Sequence, residues 1–332
     1  MKKVAWLVSA LLLAGCGGGG GGGESGSVLP VYTGISTAAP LDNTLAAGQF
    51  AYAILVPAEA GQIGTLPLSP GEAPGVAVLP SAREAVLRAL RLATPPAGTA
   101  GPVKPRAVYT ETFPGAEGGA MVMTITTGIW TNTGTEYVTR ADISFQNFDD
   151  IVDGISNPMN GTMSIVPDTW TADGLPVYYV ASFDLHVSLD PVSGGRITGS
   201  LDYHQVSTTD MRPIYTWNNT LITDDQTKIQ VWWNPLVEID EDIFTDRELL
   251  TVTGKVYISY LGYVTVSTSL PFDFPTSADL DPISGKMLLT GEQDKATVTV
   301  QGTVPEVFVE LDSGGNGTID STNSYAWQDL AF

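Results

Sequence analysis

The chain is short of thiols, imidazoles and positive charge. It has one cysteine, two histidines and 15 lysines and arginines in 332 residues. With Cys16 as the only thiol, an internal disulfide, a Cys-ligated zinc site and an iron–sulfur cluster are excluded together. The 15 cations stand against 36 carboxylates, and 15 − 36 gives a net charge of −21. Such a surface repels phosphate, so nucleic acid and anionic head groups are poor partners, whereas divalent cations and basic proteins suit it. A nucleophile elbow, an S-x-x-K, an H-E-x-x-H and a phosphate-cradling loop are also missing, which removes the commonest signatures of hydrolases and nucleotide enzymes.

What is present begins with an address. Lys2 and Lys3 make a basic start and Val4 to Ala14 an apolar core. That core is too short to span a bilayer, so residues 1–15 read as a signal peptide outside the fold. Leu13-Ala14-Gly15-Cys16 closes it and resembles the lipobox of bacterial lipoproteins. The resemblance implies cleavage before Cys16, acylation of that residue, and a membrane partnership through lipid. Gly17 follows where an Asp often retains such proteins on the inner membrane, so the expected location is the outer membrane. Residues 16–27, lipidated Cys followed by Gly17 to Gly23 and Glu24-Ser25-Gly26-Ser27, form a flexible tether.

Residues 28–105 are rich in Ala, Gly and Pro. A capping box, Ser81 with Glu84, and the apolar stripe of Val86, Leu87, Leu90 and Ala93 predict a helix over 82–93. Upstream, Phe50 to Val56 reads as a strand. From residue 106 to 332 the pattern is all-β: β-branched and aromatic residues alternate with polar ones, most regularly from Glu248 to Gln301, and Gly, Pro, Asp and Asn mark the turns. Helical crossovers are lacking, so the sheet is mostly antiparallel, a meander that curves, rolls into a half-barrel or forms a sandwich. Leu189-Asp190-Pro191-Val192-Ser193-Gly194 recurs as Leu280-Asp281-Pro282-Ile283-Ser284-Gly285, through duplication or shared turn chemistry. The terminal Phe332 is a feature of outer-membrane barrels, but the strands lack their outward apolar band and aromatic girdles. The lipobox, the tether and the long antiparallel region together resemble uncharacterised β-rich lipoproteins of bacterial outer envelopes, a resemblance that implies no activity.

Three groups of residues carry chemical expectations. Asp184-Leu185-His186 and Asp202-Tyr203-His204 place two carboxylates and two imidazoles on one face of a hairpin. They form either cross-strand imidazole–carboxylate pairs, with His186 opposite Asp202 and Asp184 opposite His204, or, with Asp184 facing Asp202, a metal cluster. Asp312 to Asn323 resembles the twelve-residue calcium loop of the EF-hand family, with Asp312, Asn316, Thr318, Asp320 and Asn323 as the implied ligands. Gly314 and Asn323 depart from that pattern, so the alternatives are a weak calcium site and a plain turn. Glu238, Asp240 and Asp242 follow Trp232 and Trp233 with a spacing similar to the catalytic strand of jelly-roll β-glucanases. The resemblance implies Glu238 as nucleophile and Asp240 as helper, with Asp242 one methylene short of the family's general acid; an exposed acidic edge accounts for the same letters.

The sequence therefore favours a non-catalytic envelope module that binds an apolar ligand or another envelope component. The alternative is a carbohydrate-active enzyme or carbohydrate binder built on those acids with Trp170, Trp217, Trp232 and Trp233. The side of the sheet taken by Trp232 and by Glu238 separates the two.

Overall fold

The computed structural model describes residues 31–58, 105–115, 118–129, 136–149, 158–170, 176–188, 194–205, 213–225, 227–240, 248–274, 282–302 and 306–330. Cys16, the tether and the helix expected over 82–93 lie outside them. The described chain opens with a helix, α1 (Thr44–Ala58), and continues entirely in strands: β1 (Pro105–Pro114), β2 (Gly118–Ile129), β3 (Glu136–Asp149), β4 (Met159–Trp170), β5 (Pro176–Ser188), β6 (Gly194–Gln205) and β7 (Pro213–Asp224). Then follow β8 (Gln230–Asp240), β9 (Glu248–Ile258), β10 (Gly262–Phe274), β11 (Ser284–Thr290), β12 (Lys295–Gln301), β13 (Glu306–Asp312) and β14 (Ser321–Ala326), with a 3₁₀ turn at Trp327–Asp329.

The strands form one antiparallel sheet in strict sequence order from β1 to β14. This is the expected meander, and because it is a single open sheet the sandwich does not form. Both Asp-Pro stretches of the internal repeat fall at hairpin connections, β5 to β6 and β10 to β11. Period-two alternation sends one side chain in two to an inner face. Met121, Met123 and Ile125 on β2, Val298 and Val300 on β12, and Val307 and Val309 on β13 all belong to a single contiguous buried core. No helix among the described residues is long and apolar enough to cross a membrane.

Phe50 to Val56 is not a strand but the second half of α1. Asn43 caps the helix, its side-chain oxygen accepting the Ala46 N–H at 2.8 Å, and Ala46, Ala47, Ala51 and Ala53 favour helix strongly. The F-A-Y-A alternation suggested period two because small and large residues take turns. In fact every side is apolar: Ala47, Phe50, Ala51, Ala53, Ile54 and Leu55 are all fully buried. A helix apolar all round is one enclosed by protein, and α1 packs on β9, β12, β13 and β14.

Residues 31–41 clasp the sheet on their way to α1. Ile35 N–H donates to Ser259 O at 2.9 Å and Ala39 N–H to Tyr263 O at 2.7 Å, while Tyr263 N–H donates to Thr37 O at 3.0 Å. Gly262, at φ +101°, lets this segment lie against the β9–β10 turn, where a Cβ would stand 2.5 Å from Thr37 O.

Candidate functional site, a polar groove across the outer face

The outer face carries an ordered pattern that follows from register. Asp142 on β3 faces Ser164 on β4, Ser164 faces Ser182 on β5, Ser182 faces Ser200 on β6 and Ser200 faces Asn218 on β7. A second row runs beside it through Ser144, Thr162, Asp184, Thr198 and Leu221 to Trp232 on β8. Short polar side chains between longer ones leave a trough, and a groove of about 980 Å³ lies along these rows. It crosses from β3 to β8, five inter-strand steps or ~24 Å at ~4.8 Å each. At the β6–β7 step the register shifts between Thr198 and Ser200. There Gly199 adopts φ +151°, and a Cβ would meet Thr220 Cα at 2.6 Å; Asn219 opposite takes φ +50°, a left-handed value that Asn tolerates.

The groove's charges are answered in place. Arg140 Nε donates to both oxygens of Asp142 at 2.9 and 2.7 Å, and this bond holds the Asp142 carboxyl below the usual carboxylate range. Arg196 reaches Asp184 through Nε at 2.7 Å and Nη2 at 2.6 Å, a two-pronged pair. The β8 end is walled by aromatic rings. Tyr32 stacks on Trp232 at 5.2 Å, Trp232 meets Tyr257 at 4.6 Å, and Tyr257 meets Tyr263 at 5.0 Å. Trp232 Nε1 donates to Asn219 Oδ1 at 3.0 Å. Burial, reinforced by Tyr257, pushes the Tyr32 hydroxyl up to about 12. Val31 to Thr33 are strapped to the sheet through Gln230, whose Oε1 accepts from Thr33 N at 2.9 Å and whose Nε2 donates to Val31 O at 3.4 Å.

The two D-x-H triplets share this outer face but do not meet. His186 faces Arg196 and His204 faces Tyr178, while Asp184 and Asp202 face Thr198 and Val180. Neither expected pairing forms. The hairpin pairs around Ser182 and Ser200, and each triplet begins two residues beyond that midline on its own strand. Antiparallel strands run in opposite directions, so the equal offsets carry the triplets to opposite ends. His186 Nε2 instead lies 2.6 Å from Asp225 Oδ2, and Asp202 Oδ2 accepts from Asn218 Nδ2 at 3.1 Å. Among the described residues no three His, Cys, Asp or Glu side chains are grouped to hold a metal ion.

The Asp312 to Asn323 stretch is a hairpin loop that spends its carboxylates on its own main chain. Asp312 accepts the N–H groups of Asn316 and Gly317 at 2.9 and 2.8 Å, Asp320 accepts that of Ser313 at 2.8 Å, and Asn316 that of Thr318 at 2.8 Å. Asn323 does not close the loop as a twelfth ligand would; it lies inside β14, opposite Val309.

Of the glucanase-like acids, Glu238 is the one whose side chain is described. Glu238 is 1% exposed on the inner face, opposite Tyr215, whereas Trp232 is half-buried on the outer face. Trp217 and Trp233 belong to the core. Asp240 ends β8 and Asp242 lies beyond the described residues. The register between β8 and β9 shifts between Trp233 and Leu236, so the parity that sets Trp232 outward does not carry through to Glu238. A nucleophile sealed in the core cannot reach a glycosidic bond, and the jelly-roll assignment fails on that point.

The chain matches no known protein family, no curated protein and no solved structure.

The groove's floor has only a faint trace in the sequence. A signal existed in the 18-residue spacing of Ser164, Ser182, Ser200 and Asn218, one strand plus one connection each time. Single serines within strands read as ordinary wet-face residues, and only the register aligns them.

Proposed function

We propose that the chain is a lipid-anchored protein of the bacterial cell envelope whose sheet is a non-catalytic binding module, with the outer-face groove as its binding surface. The observation that carries this reading is the separation of Trp232 from Glu238. The aromatic side chain borders an open groove and the Glu238 carboxylate is sealed on the other face, so the expected nucleophile is absent from the contact surface. The two carboxylates that line it, Asp142 and Asp184, are held by Arg140 and Arg196. The apolar-ligand version of the module is disfavoured because the inner face is filled by its own core. The leader and Leu13-Ala14-Gly15-Cys16 support the envelope address.

Filling the groove tests the binding role. Ser182 is exposed at the centre of the floor, so Ser182→Tyr should leave the fold intact and reduce co-sedimentation of the purified protein with isolated envelope by about tenfold, the equivalent of ~1.4 kcal/mol. Soluble fragments should not appear in the supernatant. Co-sedimentation that ignores Ser182→Tyr would show that the groove is not the binding surface.

A further inference from the structure

Resting on that reading, we propose that the groove takes an extended, uncharged carbohydrate chain, held by hydroxyl and amide side chains along its floor and by the aromatic wall at the β8 end. The shape argues for a chain: a trough ~24 Å long at the inter-strand spacing is laid across six strands, not sunk as a round pocket. Its floor argues for hydroxyls. Ser164, Ser182, Ser200 and Asn218 stand one strand apart, and Thr162 lies beside Ser164 on β4. A hydroxyl both donates and accepts. Ser164 is shared with Asp142, Ser200 donates to Asn218 O at 3.4 Å and Asn218 Nδ2 to Asp202 at 3.1 Å. The floor therefore offers a sugar hydroxyl the exposed Ser182 and the remaining acceptor oxygens of Ser164, Ser200 and Asn218. Water-bridged contacts widen the tolerance.

The charges argue for neutrality. In a protein of net charge −21, the two carboxylates that line the groove are the ones matched by arginines, Asp142 by Arg140 and Asp184 by Arg196. A cationic ligand would have to displace a guanidinium in two places, and a polyanion would meet the field of the whole molecule. Strand addition by a peptide is disfavoured as well, because the floor consists of interior strands whose main-chain groups are committed to ladders on both sides. At the β8 end, Trp232 and Tyr32 supply an amphipathic surface: apolar ring area for the C–H face of a sugar, and a polar rim in the Trp232–Asn219 hydrogen bond. Leu221, buried on this outer face beside Trp232, continues that apolar spot into the floor.

The test uses the full chain in detergent, titrated calorimetrically with neutral gluco- and manno-oligosaccharides of increasing length. Polygalacturonate, polylysine and an uncharged Ser/Gly peptide are run alongside as competing classes. The expected result is saturable binding of neutral saccharides that tightens with length until the ~24 Å trough is filled, weakens about tenfold in Ser182→Tyr and in Ser164→Tyr, and loses its tryptophan-fluorescence change in Trp232→Phe. Two floor variants are used so that misfolding of one, checked by circular dichroism, leaves the other to decide. Failure of every neutral saccharide to bind, while envelope co-sedimentation still responds to Ser182→Tyr, overturns the carbohydrate assignment and leaves the binding module standing. Binding of polylysine, the polyuronate or the peptide in place of the saccharides overturns it in the same way. Loss of Ser182 dependence in both assays removes the groove altogether.

Discussion

Arg140 and Asp142 stand two residues apart on one strand, so both project from the same face and their pair forms without help from any neighbouring strand. The guanidinium lowers the carboxyl's proton affinity. A lowered folded-state pKa contributes stability that is complete above the unfolded carboxylate value, about 3.9, and is lost as pH falls through the folded one. Arg140→Ala should therefore move the Asp142 midpoint upward, toward that unfolded value, in a carboxyl-carbon NMR titration; an unmoved midpoint would mean that the pair does not hold the carboxylate. Face assignments of this kind follow from parity and were legible. The same parity placed Asp184, His186, Asp202 and His204 on one face. It could not place them against one another, because register comes from the turn and from the midline on which two strands pair. The groove escaped notice for the same cause: its serines are adjacent only after folding.

Strands announced themselves wherever one face was buried and the other wet, since burial then writes alternation into the sequence. The helix α1 is the counter-example. It is buried all round, so it carries neither a helical stripe nor a strand's true alternation, and its type shows only in its alanines and its Asn43 cap. Phe50 lies fully buried in it. Phe50→Ala should cost about 3–5 kcal/mol, read as a lower urea midpoint with little change in slope. A cost below about 1 kcal/mol, the size of an ordinary surface change, would mean that α1 does not complete the core. The buried Glu238 is the analogous case within the sheet: a carboxylate in an E-x-D-x-D run reads as a wet edge, and the register shift beside it turned it inward.

At the scale of the molecule, a net charge of −21 favours a well-solvated surface, and the proposed membrane attachment rests on the leader alone. With Leu13-Ala14-Gly15-Cys16 as the proposed lipidation signal, Cys16→Ala should shift the protein from the detergent phase to the aqueous phase on partitioning; unchanged partitioning would remove the anchor from the proposal.

The sheet's order has a consequence for how the molecule is made. Each strand pairs with the one synthesised just before it, so every ladder closes a short loop and the sheet can grow in the direction of synthesis. The helix is the exception. Thr44 Oγ1 meets the Tyr325 hydroxyl at 2.7 Å across 281 residues, and α1 packs on the last three strands. This apolar helix is thus translated ahead of every strand of the sheet, meets its first cover at β9 and receives the rest only with the last three strands, and until then its exposed face is in need of a chaperone.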